Sequence, residues 1–265
     1  MLSDLPLGGI RYYESTGSTN DTAALWAEEG APDFAIVLAD AQTNGRGRLG
    51  RKWFSYPGSG LALSLILRPT TNEQREKSSL LTRFTGLGAL AVSQVLQKHY
   101  ALPAQIKWPN DVLIRNRKLC GVLTEAHWNG DKLSYVILGI GINVSANAIP
   151  PGGELEIAAT SVASEVVGPV DRILFLHQLL LEIITWRAQL MDESFLRTWE
   201  SNLVFYGELV EVVSDSRARK DSNLLAFGQI IGLDNDGALL LRTSSGEEVT
   251  LRCGEILNPG YQGHG

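Results

Sequence analysis

Gly45-Arg46-Gly47-Arg48-Leu49-Gly50-Arg51-Lys52 follows a continuous apolar run, Phe34-Ala35-Ile36-Val37-Leu38-Ala39, suited to a strand buried on both faces. The segment formally matches G-x-G-x-x-G after a strand. A dinucleotide fold would need a helix next, with its N-terminus on the pyrophosphate. Trp53-Phe54-Ser55-Tyr56-Pro57-Gly58 is a poor helix start. The P-loop reading fails as well, because Arg51-Lys52 stands where Lys-Ser/Thr is required. What remains is a loop with four cationic side chains in eight residues and no acid among them. Arginine forks suit phosphate and carboxylate oxygens, and the glycines let backbone N–H groups come close. The chain has a formal net charge of −6, so this concentration implies a small anionic ligand rather than a long polyanion. A solvated basic loop or an arginine-glycine nucleic-acid arm is the plainer alternative. Trp53 reads as a lid ring over a ligand or as ordinary core.

Outward from that loop, Thr19-Asn20-Asp21 opens a short helix that Gly30 can close. Downstream, residues 61–67 read as strand and 80–100 as a helix rich in small residues. Strand-like pieces follow at 105–108, 119–126 and 133–142. Leu176, Leu180, Ile183 and Ile184 recur at helical spacing, with Asp171 as N-cap, and a second helix is expected around 193–202. Character changes near Gly207. Short alternating runs at 209–213, 228–233, 238–242 and 248–252, broken by Asp234-Asn235-Asp236-Gly237 and Ser244-Ser245-Gly246, are the signature of a small antiparallel barrel. The tail from Pro259 is expected to be loose. At roughly 150 residues per domain, 265 residues predict one large unit and one small one, 1–206 and 207–265.

Hydrophobic residues at 44% and charged residues at 20% exclude disordered, collagen-like and coiled-coil readings. The longest apolar runs, such as 135–144, are strand-sized, so no membrane span is expected. The start, Met1-Leu2-Ser3-Asp4, lacks a secretory n-region and h-region. Cys120 and Cys253 form no disulfide framework. These features predict a cytoplasmic protein. His99, His127, His177 and His264 and the two cysteines have no metal-ligand spacing, so no protein-bound metal is expected.

Four further constellations carry chemistry. In Lys107-Trp108-Pro109-Asn110-Asp111 the proline ends regular pairing, which makes a hairpin corner or a site. In Arg117-Lys118-Leu119-Cys120-Gly121, Lys118 sits just before a strand, either as a surface lysine or as an ammonium aimed at a ligand. In Gly139-Ile140-Gly141-Ile142-Asn143 the glycines mark a bulge, or close approach of a ligand or another backbone. Asn143 could bond to a base or a phosphate. Ser18-Thr19-Asn20 can bind a polar head group, though helix capping is the simpler reading.

Together with Gln42, these motifs resemble biotin protein ligases, in the right order from about residue 10 to about residue 260. The resemblance implies an α+β fold: a mixed sheet packed with helices, of the class II synthetase-like type, followed by a small SH3-like β-barrel. It also implies a reaction. Biotin's carboxylate attacks the α-phosphate of ATP to give biotinyl-5′-AMP and pyrophosphate. A lysine of a biotin carboxyl carrier protein, as in acetyl-CoA carboxylase, then displaces AMP. By the same resemblance, Ser18, Thr19, Asn20 and Gln42 hold the ureido head and ring. Arg46, Gly47 and Arg48 contact the carboxyl end and the phosphate, and Lys118 lies on both. Asn143 and the Gly139–Gly141 strand lie near the nucleotide. Gly45, Arg51, Trp53, Gly121 and Gly141 are counted with the binding residues, and Lys118, Asp111 and Arg48 with the catalytic ones.

The physics agrees with that assignment. Two anions must meet in the first step, so cations are needed, and Arg46, Arg48, Arg51 and Lys118 can supply them. ATP brings Mg²⁺ on its own phosphates. Asp111 is the candidate to orient or deprotonate the incoming amine. The adenylate is readily hydrolysed, so the arginine loop and Trp53 are expected to shield it. Only about 17 residues precede Ser18, too few for a winged helix-turn-helix, so no DNA-repressor activity is expected. A homodimer stays open. The rivals are a lipoate or octanoate ligase of related fold, a non-catalytic homologue that holds a nucleotide or biotin, and a nucleic-acid binder.

Overall fold

Strand β2 (Ala35–Gln42), nearly all apolar in its first half, lies inside the sheet, as its composition predicts. The computed structural model describes residues 2–149, 158–215 and 223–258. Seven strands form one mixed sheet in the order β1-β2-β3-β7-β6-β5-β4. They are β1 (Gly9–Thr16), β2, β3 (Gly60–Leu67), β4 (Ala104–Lys107), β5 (Asp111–Ile114), β6 (Arg117–Asn129) and β7 (Lys132–Asn143). β1 pairs with β2 in parallel, across the helix α1 (Thr19–Glu28), and every other pairing is antiparallel.

The two faces of this sheet are covered unequally. Helix α2 (Lys77–Tyr100) packs on one face through Phe84, Leu87, Ala91 and Val95. It meets alternate residues such as Val122, Leu138 and Ile140. Gly88 brings its backbone so close to Val122 that a side-chain carbon there would lie 3.0 Å from it. α4 (Arg172–Ala188) lies outside α2, started by Asp171, whose side chain accepts from the amides of Ile173 and Leu174. On the opposite face α1 packs through Ala23 and Ala27 on Ala35, Val37, Ile66, Tyr135 and Ile137. Beyond them, Gly121, Gly139 and Gly141 form the floor of a cleft on that face. This opening is where the site forms.

Residues 79–100 of α2 are long and apolar enough to cross a membrane by length and composition. Of the apolar window, 78% is buried inside the fold, which marks it as a core helix. Strands β1 and β5 went unrecognised. β1 is an edge strand of alternating exposure containing Arg11, Tyr12 and Glu14, and β5 has only four residues.

Short helices α3 (Val162–Glu165) and α5 (Glu193–Ser201) complete the helical layer. The remaining strands, β8 (Leu209–Val213), β9 (Leu224–Leu233), β10 (Leu239–Arg242), β11 (Glu248–Leu251) and β12 (Glu255–Leu257), make a second, antiparallel sheet in the order β11-β10-β9-β8-β12. Its buried residues Val210, Ile230, Leu239 and Leu241 join the same apolar cluster as α2. Polar ties reinforce the junction. Trp108 Nε1 donates to the Gly237 carbonyl at 3.1 Å, and Arg83 Nη2 donates to the Asn235 carbonyl at 2.6 Å. The tail from Pro259 lies outside the described residues.

Candidate functional site

At the start of α1, three polar side chains are buried: Ser18, Thr19 and Asn20. Helix capping does not explain them. Ser18 occupies the N-cap position but its side chain makes no capping bond. Thr19 and Asn20 turn to the sheet instead. Gln42 Oε1 on β2 accepts from the Thr19 amide at 2.8 Å and from the Thr19 hydroxyl at 3.0 Å. The Ser64 hydroxyl on β3 lies 2.8 Å from Thr19 Oγ1 and 2.6 Å from Asn20 Oδ1. Asn20 Nδ2 donates to Glu125 Oε2 on β6 at 2.5 Å. Uncharged donors and acceptors held this way suit a neutral polar group.

The glycine-arginine loop is a small hairpin, with no helix after it. Gly47 N donates to the Arg51 carbonyl at 2.7 Å and Trp53 N to the Gly45 carbonyl at 2.9 Å. A tight turn at Arg48–Gly50 reverses the chain, with Leu49 at φ 55° and Gly50 at φ 71°. The loop has no acid of its own, but the fold brings acids to it. Arg46 forms a bidentate pair with Asp21, both contacts at 2.6 Å, and reaches Glu125 at 3.3 Å. That pairing raises the Arg46 pKa and holds the Asp21 carboxyl below its usual range. Arg51 binds Glu255 of β12, with Nη2 to Oε2 at 2.7 Å, and lies 3.6 Å from Asp215. Arg48 donates to the neutral Asn110 Oδ1 at 3.2 Å. The reading of a bare cationic loop is therefore corrected. Arg46 and Arg51 are paired with carboxylates from distant segments.

Lys118 lies inside β6 rather than before it. Its ammonium is 2.7 Å from Asp111 Oδ1. Its backbone is fixed on both sides, donating to the Ala158 carbonyl at 2.8 Å and accepting from Thr160 N at 2.9 Å. Asn110 and Asp111 form the corner between β4 and β5, so the hairpin reading and the site reading both describe them. Lys107 faces the same space, and burial pushes its ammonium below the usual lysine range. Cys120 is fully buried, which pushes its thiol upward.

The glycines of β7 are not bulged; Gly139 pairs with Leu123 and Gly141 with Gly121 in unbroken register. They permit close approach by side chains of this chain itself. A side-chain carbon on Gly139 would collide with the Asn20 amide, and one on Gly141 with the Trp53 indole. Trp53 thus lies on the glycine floor, with Lys118 Nζ 5.8 Å from the ring centre. Asn143, at the end of β7, donates to the Thr160 carbonyl at 3.1 Å.

A single cleft of about 410 Å³ runs from Ser18 and Gln42, past the loop, to Lys107, Asp111 and Glu255. Every site residue singled out from the sequence lines it except Gly45, whose backbone packs behind, on Trp53 and Gln42. The sequence reading names Lys107 only within the Lys107–Asp111 motif and Asp21 only at the helix opening, and it does not single out Ser64, Glu125 or Glu255. Glu125 had a usable signal, since it lies at two-residue steps from Gly121 and Leu123 on one strand face. Glu255 had none, being 204 positions from Arg51. Among the described residues, no group of three or more His, Cys, Asp or Glu gathers to hold a metal ion.

Known proteins resemble this chain in sequence and fold. The family model described as "Biotin/lipoate A/B protein ligase family" matches residues 12–143, and the "Biotin protein ligase C terminal domain" matches 219–257. The bifunctional ligase/repressor BirA of Bacillus subtilis is 36% identical over 238 residues, covering 89% of this chain and 70% of the relative. The biotin–[acetyl-CoA-carboxylase] ligase of Paracoccus denitrificans is 34% identical, covering 88% of this chain and 94% of the relative. Among solved structures, the biotin protein ligase of Aquifex aeolicus in complex with biotin and ATP superposes with a TM-score of 0.76 at 29% identity, over 94% of this chain and 97% of that one. With the cleft, both sheets and the extent of these matches in agreement, the chain belongs to the biotin protein ligase family.

Proposed function

We propose that this cleft activates biotin with ATP and passes it to a lysine of a biotin carboxyl carrier protein, the partner that the names of the relatives imply. One observation carries the reading. A single cleft joins an end lined by the neutral polar side chains of Ser18, Thr19, Asn20 and Gln42 to an end lined by Arg48, Arg51, Lys107 and Lys118. That polarity matches a ureido ring at one end and a carboxylate meeting a phosphate at the other.

Ser18, Thr19, Asn20 and Gln42 hold the ureido head. In the first step a biotin carboxylate oxygen attacks the α-phosphorus and pyrophosphate leaves with its electron pair. Arg48, Arg51, Lys107 and Lys118 offset the charge gathered at phosphorus. Arg48 changes partner most readily, because in this structure it donates to a neutral amide. Mg²⁺ enters with ATP and neutralises part of the triphosphate charge; no residue of this chain is assigned to it. Gly121, Gly141 and Asn143 border the nucleotide. As Lys118 turns to the phosphate, Asp111 loses its ion-pair partner and becomes an acceptor. In the second step the carrier amine attacks the acyl carbon, AMP leaves, and Asp111 takes the amine proton. Trp53 and the loop keep water from the mixed anhydride.

Residues 1–206 form the catalytic unit in this proposal, and 207–265 the C-terminal one. A net charge of −6 with carboxylate-paired arginines argues against a polyanion at the loop. The need for ATP suits a cytoplasmic enzyme. The test is direct: mix the protein with ATP, Mg²⁺ and either biotin or lipoate, and identify the adenylated acid. Biotinyl-AMP supports the reading. Lipoyl-AMP alone, or no adenylate, overturns it.

A further inference from the structure

The three loop arginines are anchored to different parts of the fold. Arg48 meets Asn110 at the β4–β5 corner, and Arg51 meets Glu255 in the second sheet. Arg46 turns the other way, to the first turn of α1 and the face of β6. There its charge is met by two carboxylates, so it is poorly placed to serve a ligand phosphate. From this geometry we propose that Asp21 and Glu125 form a clasp that fastens the loop, through Arg46, over the head-group end of the cleft. In this proposal Glu125 is a positioning residue that links occupancy at Asn20 to closure of the loop. The inference rests on the proposed adenylation and names the side chains that govern retention of its intermediate.

The contacts form a closed ring. Ser64 bonds Asn20 Oδ1, Asn20 Nδ2 donates to Glu125 Oε2, Glu125 Oε1 reaches Arg46, and Arg46 returns to Asp21, the residue after Asn20. Gly139 backs Asn20 from the floor, so its amide cannot retreat. In this structure Glu125 divides its carboxylate between Asn20 at 2.5 Å and Arg46 at 3.3 Å. A ligand oxygen that accepts from Asn20 Nδ2 would free Glu125 for Arg46. Head-group binding therefore tightens the clasp.

Exposure sets its strength. The side chains of Arg46, Asp21 and Glu125 are 32%, 55% and 35% exposed. Water and salt screen such pairs, so the clasp can open in each catalytic cycle, while the bidentate geometry keeps it above an ordinary surface pair. Loss of one carboxylate should speed release of the adenylate about three- to ten-fold.

The experiment loads the full chain with biotin, ATP and Mg²⁺ in the absence of carrier. Release of biotinyl-AMP is then timed against excess unlabelled biotin, at low and at high ionic strength. In the wild type, release should accelerate with salt. Asp21→Asn should release about three- to ten-fold faster at low salt and lose most of the salt dependence, with unchanged melting temperature and adenylation rate. Asp21→Glu should restore retention. In Glu125→Gln, biotin should no longer slow amide hydrogen exchange across residues 46–52. Wild-type release by Asp21→Asn at low salt, or an unaltered salt slope, overturns the clasp while leaving adenylation standing. Biotin-dependent protection surviving in Glu125→Gln overturns the linkage. A wild-type protein that makes no adenylate overturns the functional reading, and the clasp with it.

Discussion

Gly141→Ala puts one methyl group where the Trp53 indole lies. Built on the present backbone, that carbon falls within 3 Å of three indole atoms, a separation that real side-chain carbons essentially never show. The Trp53 backbone is held by its amide bond to the Gly45 carbonyl. The ring must therefore turn on its own side-chain bonds and leave the floor, or carry the loop with it. Overpacking of this kind costs about 1–3 kcal/mol. Here the strain falls on the position of ring or loop over the floor, so it should accelerate adenylate release by about five- to 150-fold. Gly121→Ala is the internal control. Its added carbon would lie 3.1 Å from the edge of the same ring, so a small shift relieves it and release should change by about two-fold. The assay compares release of biotinyl-AMP from both variants by rapid desalting and chase, with Trp53 fluorescence as a report of the ring. Equal release from Gly141→Ala, Gly121→Ala and wild type would show that the ring does not lie on this floor while the intermediate is held.

Other substitutions test separate parts of the site. Asp111→Asn should slow transfer to the carrier about 100-fold, as loss of a proton acceptor does, and slow adenylation far less; full-rate transfer in a single-turnover assay would remove Asp111 from that role. Arg48→Gly should release the adenylate about ten-fold faster, since it deletes the loop's tie to Asn110 and a ligand cation, and wild-type retention would contradict the lid. Lys107→Met should stabilise the fold and raise the KM for ATP about ten-fold. Burial lowers the Lys107 pKa, so the unfolded chain holds this proton more tightly than the native one. The penalty is full below the native pKa and fades as pH rises through it towards the free value of 10.5. Thermal melts should show the wild type gaining on Lys107→Met across that window, and parallel curves would refute the assignment.

Much of the architecture is legible in the sequence. Residues 80–100 announce α2 by helical periodicity, and Asp171 announces α4 by its capping side chain. No helix follows the glycine-arginine segment, because Trp53 to Gly58 has no helical pattern to offer. Short or edge elements were lost. β1 lies at the sheet margin, where Arg11, Glu14 and Ser15 interrupt any apolar run, and β12, with three residues, is below the length at which periodicity can speak. Lys118 lies inside β6 and not just before it, since the pairing that holds it in the strand comes from Leu113 and from the segment at Ala158–Thr160, not from its own neighbours.

The sequence by itself determined which groups could act: four cations on a loop, hydroxyls and amides at a helix entrance, glycines in a strand, a lysine and an aspartate near two corners. Those are local properties, set by residue type and spacing along the chain. Only the tertiary structure decided what each group faces. Arg46 meets Glu125, 79 positions away, and Arg51 meets Glu255, 204 positions away. Charge compensation depends on separation through space, and folding makes that separation nearly independent of distance along the chain.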